Sequence, residues 1–190
     1  MSLHTRAPRL LGISGSIRRG SSNTAILEAL RRRLAQNGKG DLTVFALDDI
    51  PPYNGDLDGE APPAPVQAFK QAIRECDGLV VCSPEYNAGM SGVLKNAIDW
   101  ASRPAFNSPL KGVPVLLMSS SPSPTGGVRA QSQLRETLVS CLSRVIVTAP
   151  VVIPLVFDKF VDGVFDSEPH LAFAEVAVDA LVAEARRPLV

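Results

Sequence analysis

The chain has 190 residues, 45% of them hydrophobic and 20% charged, which suffices for one domain with a real core and argues against wholesale disorder. Lys plus Arg and Asp plus Glu balance at 19 each, so no basic footprint for nucleic acid is present. The opening MSLHTRAPRLLGIS lacks a long apolar run, and polar residues interrupt every stretch that approaches a membrane span, so neither a standard secretory signal nor membrane insertion is expected.

Arg9–Ser14 (RLLGIS) reads as the first strand, and it runs into the glycine- and serine-rich turn GSIRRGSSN. A helix is predicted to start near Ser22 or Asn23, either of which suits an N-cap, with Ile26, Leu27, Leu30 and Leu34 at helical spacing. Arg31, Arg32 and Arg33 read as its solvated face. Gly38 and Gly40 stop the helix, and DLTVFAL (Asp41–Leu47) alternates into a second strand. Residues 48–65 hold prolines, acids and glycines in one long loop, a length that usually has a purpose in a compact unit. Its acids Asp48, Asp49, Asp56, Asp58 and Glu60 lack the alternating spacing of a calcium loop, so no metal is predicted.

A helix over Val66–Glu75 leads to the third strand, GLVVCS, which ends in SPEYNAGMSG. Next come a helix near Ser91–Ser102, a fourth strand Val113–Met118, the loop SSSPSPTGG, and a helix from Gly127 to Cys141. Arg144–Thr148 is the predicted fifth strand. The segment to Glu168 reads as irregular, and Pro169–Ala185 as the last helix. Continuous apolar strands alternating with helices imply a parallel sheet buried on both faces, an α/β domain spanning residues 1–190.

Ligands in such sheets bind beyond the carboxyl ends of the strands, where the loops 14–23, 83–91 and 119–127 converge. In the first loop, Ser14, Ser16, Ser21 and Ser22 offer hydroxyls and Arg18 a cationic fork. Gly15 and Gly20 let amides turn inward ahead of a helix N-terminus. A phosphate site and an ordinary turn both fit this pattern, which is neither a Walker A loop nor a dinucleotide fingerprint. In the second loop, Tyr86 either flanks a flat heteroaromatic ring or packs. Glu85 has no His, Ser or Asp partner that would support hydrolysis. Of the remaining reactive residues, Cys76, Cys82 and Cys141 suit a reduced, cytoplasmic protein, with Cys82 a buried small residue rather than a redox thiol. His4 and His170 belong to no metal or acid–base constellation. Trp100 reads as packing, and the apolar Phe157, Phe160, Val161, Val164 and Phe165 as cover for the core or for a partner.

GSIRRGSSN, SPEYNAGMSGVLKNAIDW and SSSPSPTGGVRAQSQLR together resemble the signature segments of the NAD(P)H-dependent FMN reductases, a flavodoxin-like family that includes quinone, chromate and azo-dye reductases. The likeness runs over roughly residues 9–160, and the PEYN…LKNAIDW stretch is its most specific part. It implies a flavodoxin-like three-layer sandwich with a five-stranded parallel sheet in the order 2-1-3-4-5, noncovalent FMN, NADPH or NADH as cosubstrate, and a homodimer or homotetramer. By the same resemblance Ser16, Arg18, Ser21, Ser22 and Asn23 form the phosphate shell. Pro84, Glu85, Tyr86 and Asn87 form the turn beside the ring system, and Ser119 to Gly127, with Ser119 and Gly126 as contacts, a third wall. Arg129 and Gln131 match family positions, with binding, interface and structural roles all open. The chain departs from the common form in the two prolines of SSPSPTGG and in GMSG, which lacks a proline found in many relatives.

The activity implied is hydride transfer from a reduced nicotinamide to FMN and then, by a ping-pong mechanism in one site, to free flavin, a quinone or another small oxidant. No side chain is assigned as a catalytic nucleophile or metal ligand. Two other enzymatic or carrier readings are a quinone or xenobiotic reductase without a free-flavin role, and a flavodoxin-type single-electron carrier. Carriers of that type are commonly acidic, unlike this neutral chain.

Overall fold

A computed structural model describes residues 6–188. His4 lies outside the described residues. The first strand, β1 (Arg9–Ser14), is buried along its length after Arg9, as an apolar run at the centre of a sheet requires. Parallel pairing joins it to β2 (Asp41–Phe45) on one side and β3 (Gly78–Ser83) on the other, and β3 pairs with β4 (Pro114–Ser120). With β5 (Arg144–Val145) beside β4, the strand order is β2-β1-β3-β4-β5, the flavodoxin-like order that the resemblance implies.

Helices α1 (Ser22–Gln36) and α5 (Glu168–Ala185) cover one face, and α2 (Ala64–Glu75), α3 (Gly92–Ala101) and α4 (Val128–Ser140) the other. Strand alternation divides the core accordingly. Leu10, Val80 and Leu116 meet Ile26, Leu30, Val178 and Leu181, whereas Leu11, Val81 and Leu117 meet Phe69, Ile73, Leu94, Ile98 and Leu134.

The N-cap of α1 is Ser21, one residue before the predicted candidates; its Oγ accepts from Thr24 N at 3.2 Å. Ser22 and Asn23 are the first helical residues, and their side chains turn inward instead. Arg33 also departs from the solvated face predicted for it. It donates to Glu168 and to the buried Glu175 of α5, and Asn37 and Lys39 reach the same Glu175 carboxylate. Arg31 pairs with Glu28 at the surface, a contact of little energetic weight.

The long loop after β2 contains only a short 3₁₀ turn, Gly55–Leu57, yet it is pinned. Trp100 is fully buried, as predicted, and donates Nε1–H to Pro51 O at 2.8 Å while its ring meets Tyr53 edge-on. Asn96 brackets the same stretch, donating to Pro51 O and accepting from Tyr53 N. Lys70 of α2 pairs with Asp58 at 3.0 Å, both side chains being largely buried.

The fifth strand is broken rather than continuous over 144–148. β5 (Arg144–Val145) pairs with Pro114 and Val115, and β6 (Val151–Ile153) pairs with Met118 to Ser120 on the same side of β4. Val147 is 97% exposed in the intervening loop, and Pro150 has no N–H to give to a ladder. The segment predicted as irregular is also more ordered than that. Beyond β6 come a 3₁₀ turn (Val156–Lys159) and a two-residue hairpin, β7 (Phe160–Val161) with β8 (Val164–Phe165). Asp162 and Gly163 both take positive φ at its turn. Val156 before the hairpin and Phe165 within it are buried.

Candidate functional site

The three predicted loops converge at the carboxyl end of the sheet around a cleft of about 390 Å³, within the usual size range for small-molecule sites. Ser16, Arg18, Ser21, Ser22 and Asn23 form one side, Pro84, Glu85 and Tyr86 another, and Ser120, Ser121 and Pro122 the third. A hollow of about 130 Å³ at the opposite end is lined by Arg6 and Asp77, which already neutralise each other at 2.7 Å. It lies at the amino ends of the strands, away from where such folds place chemistry.

Four carbonyls of the first loop are paired within the protein: Gly15 O accepts from Ser91 Oγ, Ser16 O from Ser14 Oγ, Arg18 O from Ser21 N and Ser21 O from Ala25 N. The amides of Ile17, Arg19, Gly20, Ser22 and Asn23 have no acceptor among the described residues. The free amides of Ser22 and Asn23 at the positive end of α1, the Ser16 hydroxyl and the exposed Arg18 guanidinium line the cleft together as donors suited to a phosphate.

Behind this loop the side chains are locked. Asn23 Oδ1 accepts from Ser120 Oγ at 3.0 Å and from Cys82 Sγ at 3.2 Å, and Ser22 and Ser120 share a hydrogen bond. Burial pushes the Cys82 thiol pKa far up, so it stays protonated and acts as the buried small residue that was predicted. Gly15 is required by close approach: a Cβ there would sit 2.9 Å from both Pro84 Cδ and Ser83 Oγ.

The second loop ends in a tight turn in which Tyr86 and Gly89 exchange backbone hydrogen bonds of 3.0 Å each way. Asn87 and Ala88 at its tip have φ of 51° and 65°. Tyr86 is 58% exposed beside the cleft, so packing does not account for it. Asn87 stands outside the cleft lining. The Glu85 carboxylate is committed elsewhere, to α4: it accepts from Arg129 N at 3.0 Å and Arg129 Nε at 2.8 Å. Only the flank of Glu85 faces the cleft.

Two positions of the predicted third wall lie behind it rather than in it. Ser119 is fully buried and accepts from Gln131 Nε2 at 2.9 Å, while Gly126 packs against Val152 and Pro154. Strand alternation is the cause: Ser120 faces Asn23, so Ser119 must face α4. Gln131 is structural, its Nε2 also donating to Val151 O, which ties α4 to β6. Ser120, Ser121 and Pro122 take the wall instead, joined by Phe157, which is 54% exposed at the rim. The Asp-Gly turn of the β7–β8 hairpin was a readable sign that the chain after Phe157 folds back in an ordered way.

A doubly wound parallel sheet with free amides and, among the described residues, an unpaired arginine in its first loop, and exposed aromatics around a cleft at the strand ends, defines a flavodoxin-like nucleotide-binding α/β protein. The chain belongs to the NADPH-dependent FMN reductase family, whose model matches residues 8–157. It is 43% identical over 132 residues to an NAD(P)H-dependent FMN reductase of Pseudomonas aeruginosa, a match covering 69% of each chain. It is 42% identical over 135 residues to a quinone reductase of Escherichia coli K12, again over 69% of each. Among solved structures it superposes on a flavoenzyme NAD(P)H:(acceptor) oxidoreductase from Paracoccus denitrificans with a TM-score of 0.79 at 28% identity, covering 94% of this chain and 97% of the other.

Proposed function

We propose that the protein is an FMN-dependent NAD(P)H oxidoreductase that passes hydride from a reduced nicotinamide, by way of FMN in this cleft, to a small oxidant such as free flavin or a quinone. The observation that carries the reading is the placing of Arg18, Ser16 and the free amides of Ser22 and Asn23 opposite Tyr86 in one cleft, within a chain of this family. When bound, FMN supplies the hydride-accepting chemistry itself.

The protein's own part is binding and access. Arg18 offsets phosphate charge, while Ser16, Ser21 and the free amides of Ser22 and Asn23 supply hydrogen bonds. The Pro84–Tyr86 backbone and the Ser120–Pro122 wall enclose a flat ring, and Tyr86 and Phe157 border the side open to solvent. An open side serves a cycle in which donor and oxidant occupy the same place in turn. Asn87, Ser119 and Gly126 support the walls without facing the cleft.

We also place the protein in the cytoplasm as a homodimer or homotetramer. Cys76, Cys82 and Cys141 are all free, and no helix among the described residues is long and apolar enough to cross a membrane. Exposed Val128, Val139 and Leu142 on and just after α4 support self-association.

The test is an anaerobic titration of FMN-reconstituted protein with NADH and NADPH separately. Rapid bleaching of the flavin band by either nucleotide is expected, with the faster one the preferred donor. Retained FMN without bleaching would move the protein to the single-electron carriers. Failure to bind FMN would overturn the reading.

A further inference from the structure

Ser91 closes the connection from β3 to α3 and caps that helix, its Oγ accepting from Leu94 N at 3.3 Å. The same hydroxyl donates to the carbonyl oxygen of Gly15 at 2.5 Å, and the residue is 3% exposed. Gly15 begins the first loop of the cleft. Its own N–H is taken by Cys82 O at 2.8 Å, so both ends of its backbone are held by other elements.

The remaining internally paired carbonyls of the loop find their donors locally, within residues 14–25. Gly15 O alone among them depends on a side chain from elsewhere in the fold. A carbonyl dipole turned toward a bound anion repels it, and rotating one peptide plane also redirects the amides that follow. No side chain at residue 15 limits that rotation.

We infer that Ser91 is a positioning residue for the anion-binding loop: by holding the Gly15 carbonyl against the start of α3, it keeps that oxygen out of the cleft and sets the plane from which the free amides project. The inference rests on the phosphate role proposed above for the loop. The backbone of Ser91, at φ −65° and ψ 147°, is one a proline ring fits, so replacing the residue by proline removes the hydroxyl without changing the backbone shape.

The experiment compares FMN with riboflavin, which lacks the phosphate. Dissociation constants for both are measured by flavin fluorescence with the wild-type protein and with Ser91→Ala, Ser91→Pro and Ser91→Thr. Ala and Pro each remove the hydroxyl, and Pro preserves the backbone should the Ala variant fold poorly; Thr retains the donor. The Ala and Pro variants are expected to bind FMN about tenfold more weakly, the loss of one well-placed hydrogen bond, with riboflavin affinity within about twofold of wild type. The Thr variant is expected to restore FMN binding. Unchanged FMN affinity, or equal weakening for both ligands, would overturn the positioning role while leaving the FMN reading intact. If the wild type bound neither ligand, the functional reading would fall and this inference with it.

Discussion

Glu85, two residues past the end of β3, caps α4 from 44 residues away: its carboxylate accepts from the backbone N–H and the Nε–H of Arg129. The N-cap position of α4 is Gly127, in left-handed conformation and without a side chain to offer, so the cap has to come from another loop. One contact thereby joins the second wall of the cleft to the helix behind the third.

The two halves of this contact differ in worth. Glu85→Ala removes the acceptor for both N–H groups and is expected to cost about 2 kcal/mol. Arg129→Ala leaves the backbone cap in place and removes an ion pair whose arginine is 64% exposed, so it should cost at most about 1 kcal/mol. Urea unfolding of the two variants tests the order. An arginine variant as destabilised as the glutamate variant would show that the ion pair outweighs the cap.

Arg18 is exposed in the first loop with no carboxylate partner among the described residues, so its charge is available to a ligand. Arg18→Ala should weaken FMN binding about 10- to 100-fold, the range for a hydrogen bond to a charged group, and leave riboflavin binding nearly unchanged. At saturating FMN, turnover should stay within about threefold of wild type, since the residue serves retention and not hydride transfer. Equal FMN affinity in fluorescence titration would remove Arg18 from the site.

Ala88 sits at φ 65° in the Tyr86–Gly89 turn, a region costly for a residue with a Cβ. Ala88→Gly relieves that strain but adds freedom to the unfolded chain, leaving a net gain of about 0.5 kcal/mol. Thermal unfolding should show a small rise in midpoint. A fall would mean that the alanine methyl makes contacts worth more than the strain.

Acid stability should depend on Glu175. Hydrogen bonds from Arg33, with help from Asn37 and Lys39, hold its carboxyl down to about 2, against an ordinary 4.5. A depressed carboxyl contributes stability that is complete above its unfolded value and is lost as pH falls through the folded one. The native protein should therefore lose stability between about pH 4.5 and 2 in part through this group. Glu175→Gln should be less stable near pH 7 and show a flatter decline across that window. A parallel decline in both proteins would assign the acid sensitivity to other carboxylates.

Much of this molecule is readable from the residues because the strands at the centre of the sheet are continuous apolar runs that admit no other fate. The first site loop is legible for a related reason, since glycine and serine between strand and helix leave few conformations that satisfy the helix start. The third wall was harder. In the run Ser119-Ser120-Ser121 the residues are chemically identical, and only the phase of β4 decides which faces Gln131 and which faces Asn23. Arg33 was misread because local periodicity places it on a wet face, while its partner Glu175 lies 142 positions further on, in α5. Glu85 likewise shows no partner nearby in sequence. Contacts between distant polar residues leave no periodic trace.

The broken edge strand has a mechanical consequence. From β5 to β6 the pairing offset against β4 changes from 30 to 33 residues, an odd shift that reverses which alternate residues point inward. Ile146 faces the core below the break, and Val151 and Ile153 face it above; an uninterrupted strand would have carried Thr148 and Pro150 inward instead. The upper piece also props the cleft, since Ser121 N reaches Ile153 O and Val156 N reaches Ser121 O. The lower piece is anchored separately, through Arg144 to Glu184 of α5. The two lengths of this edge are thus fastened independently, the upper one to the wall of the cleft and the lower one to the last helix.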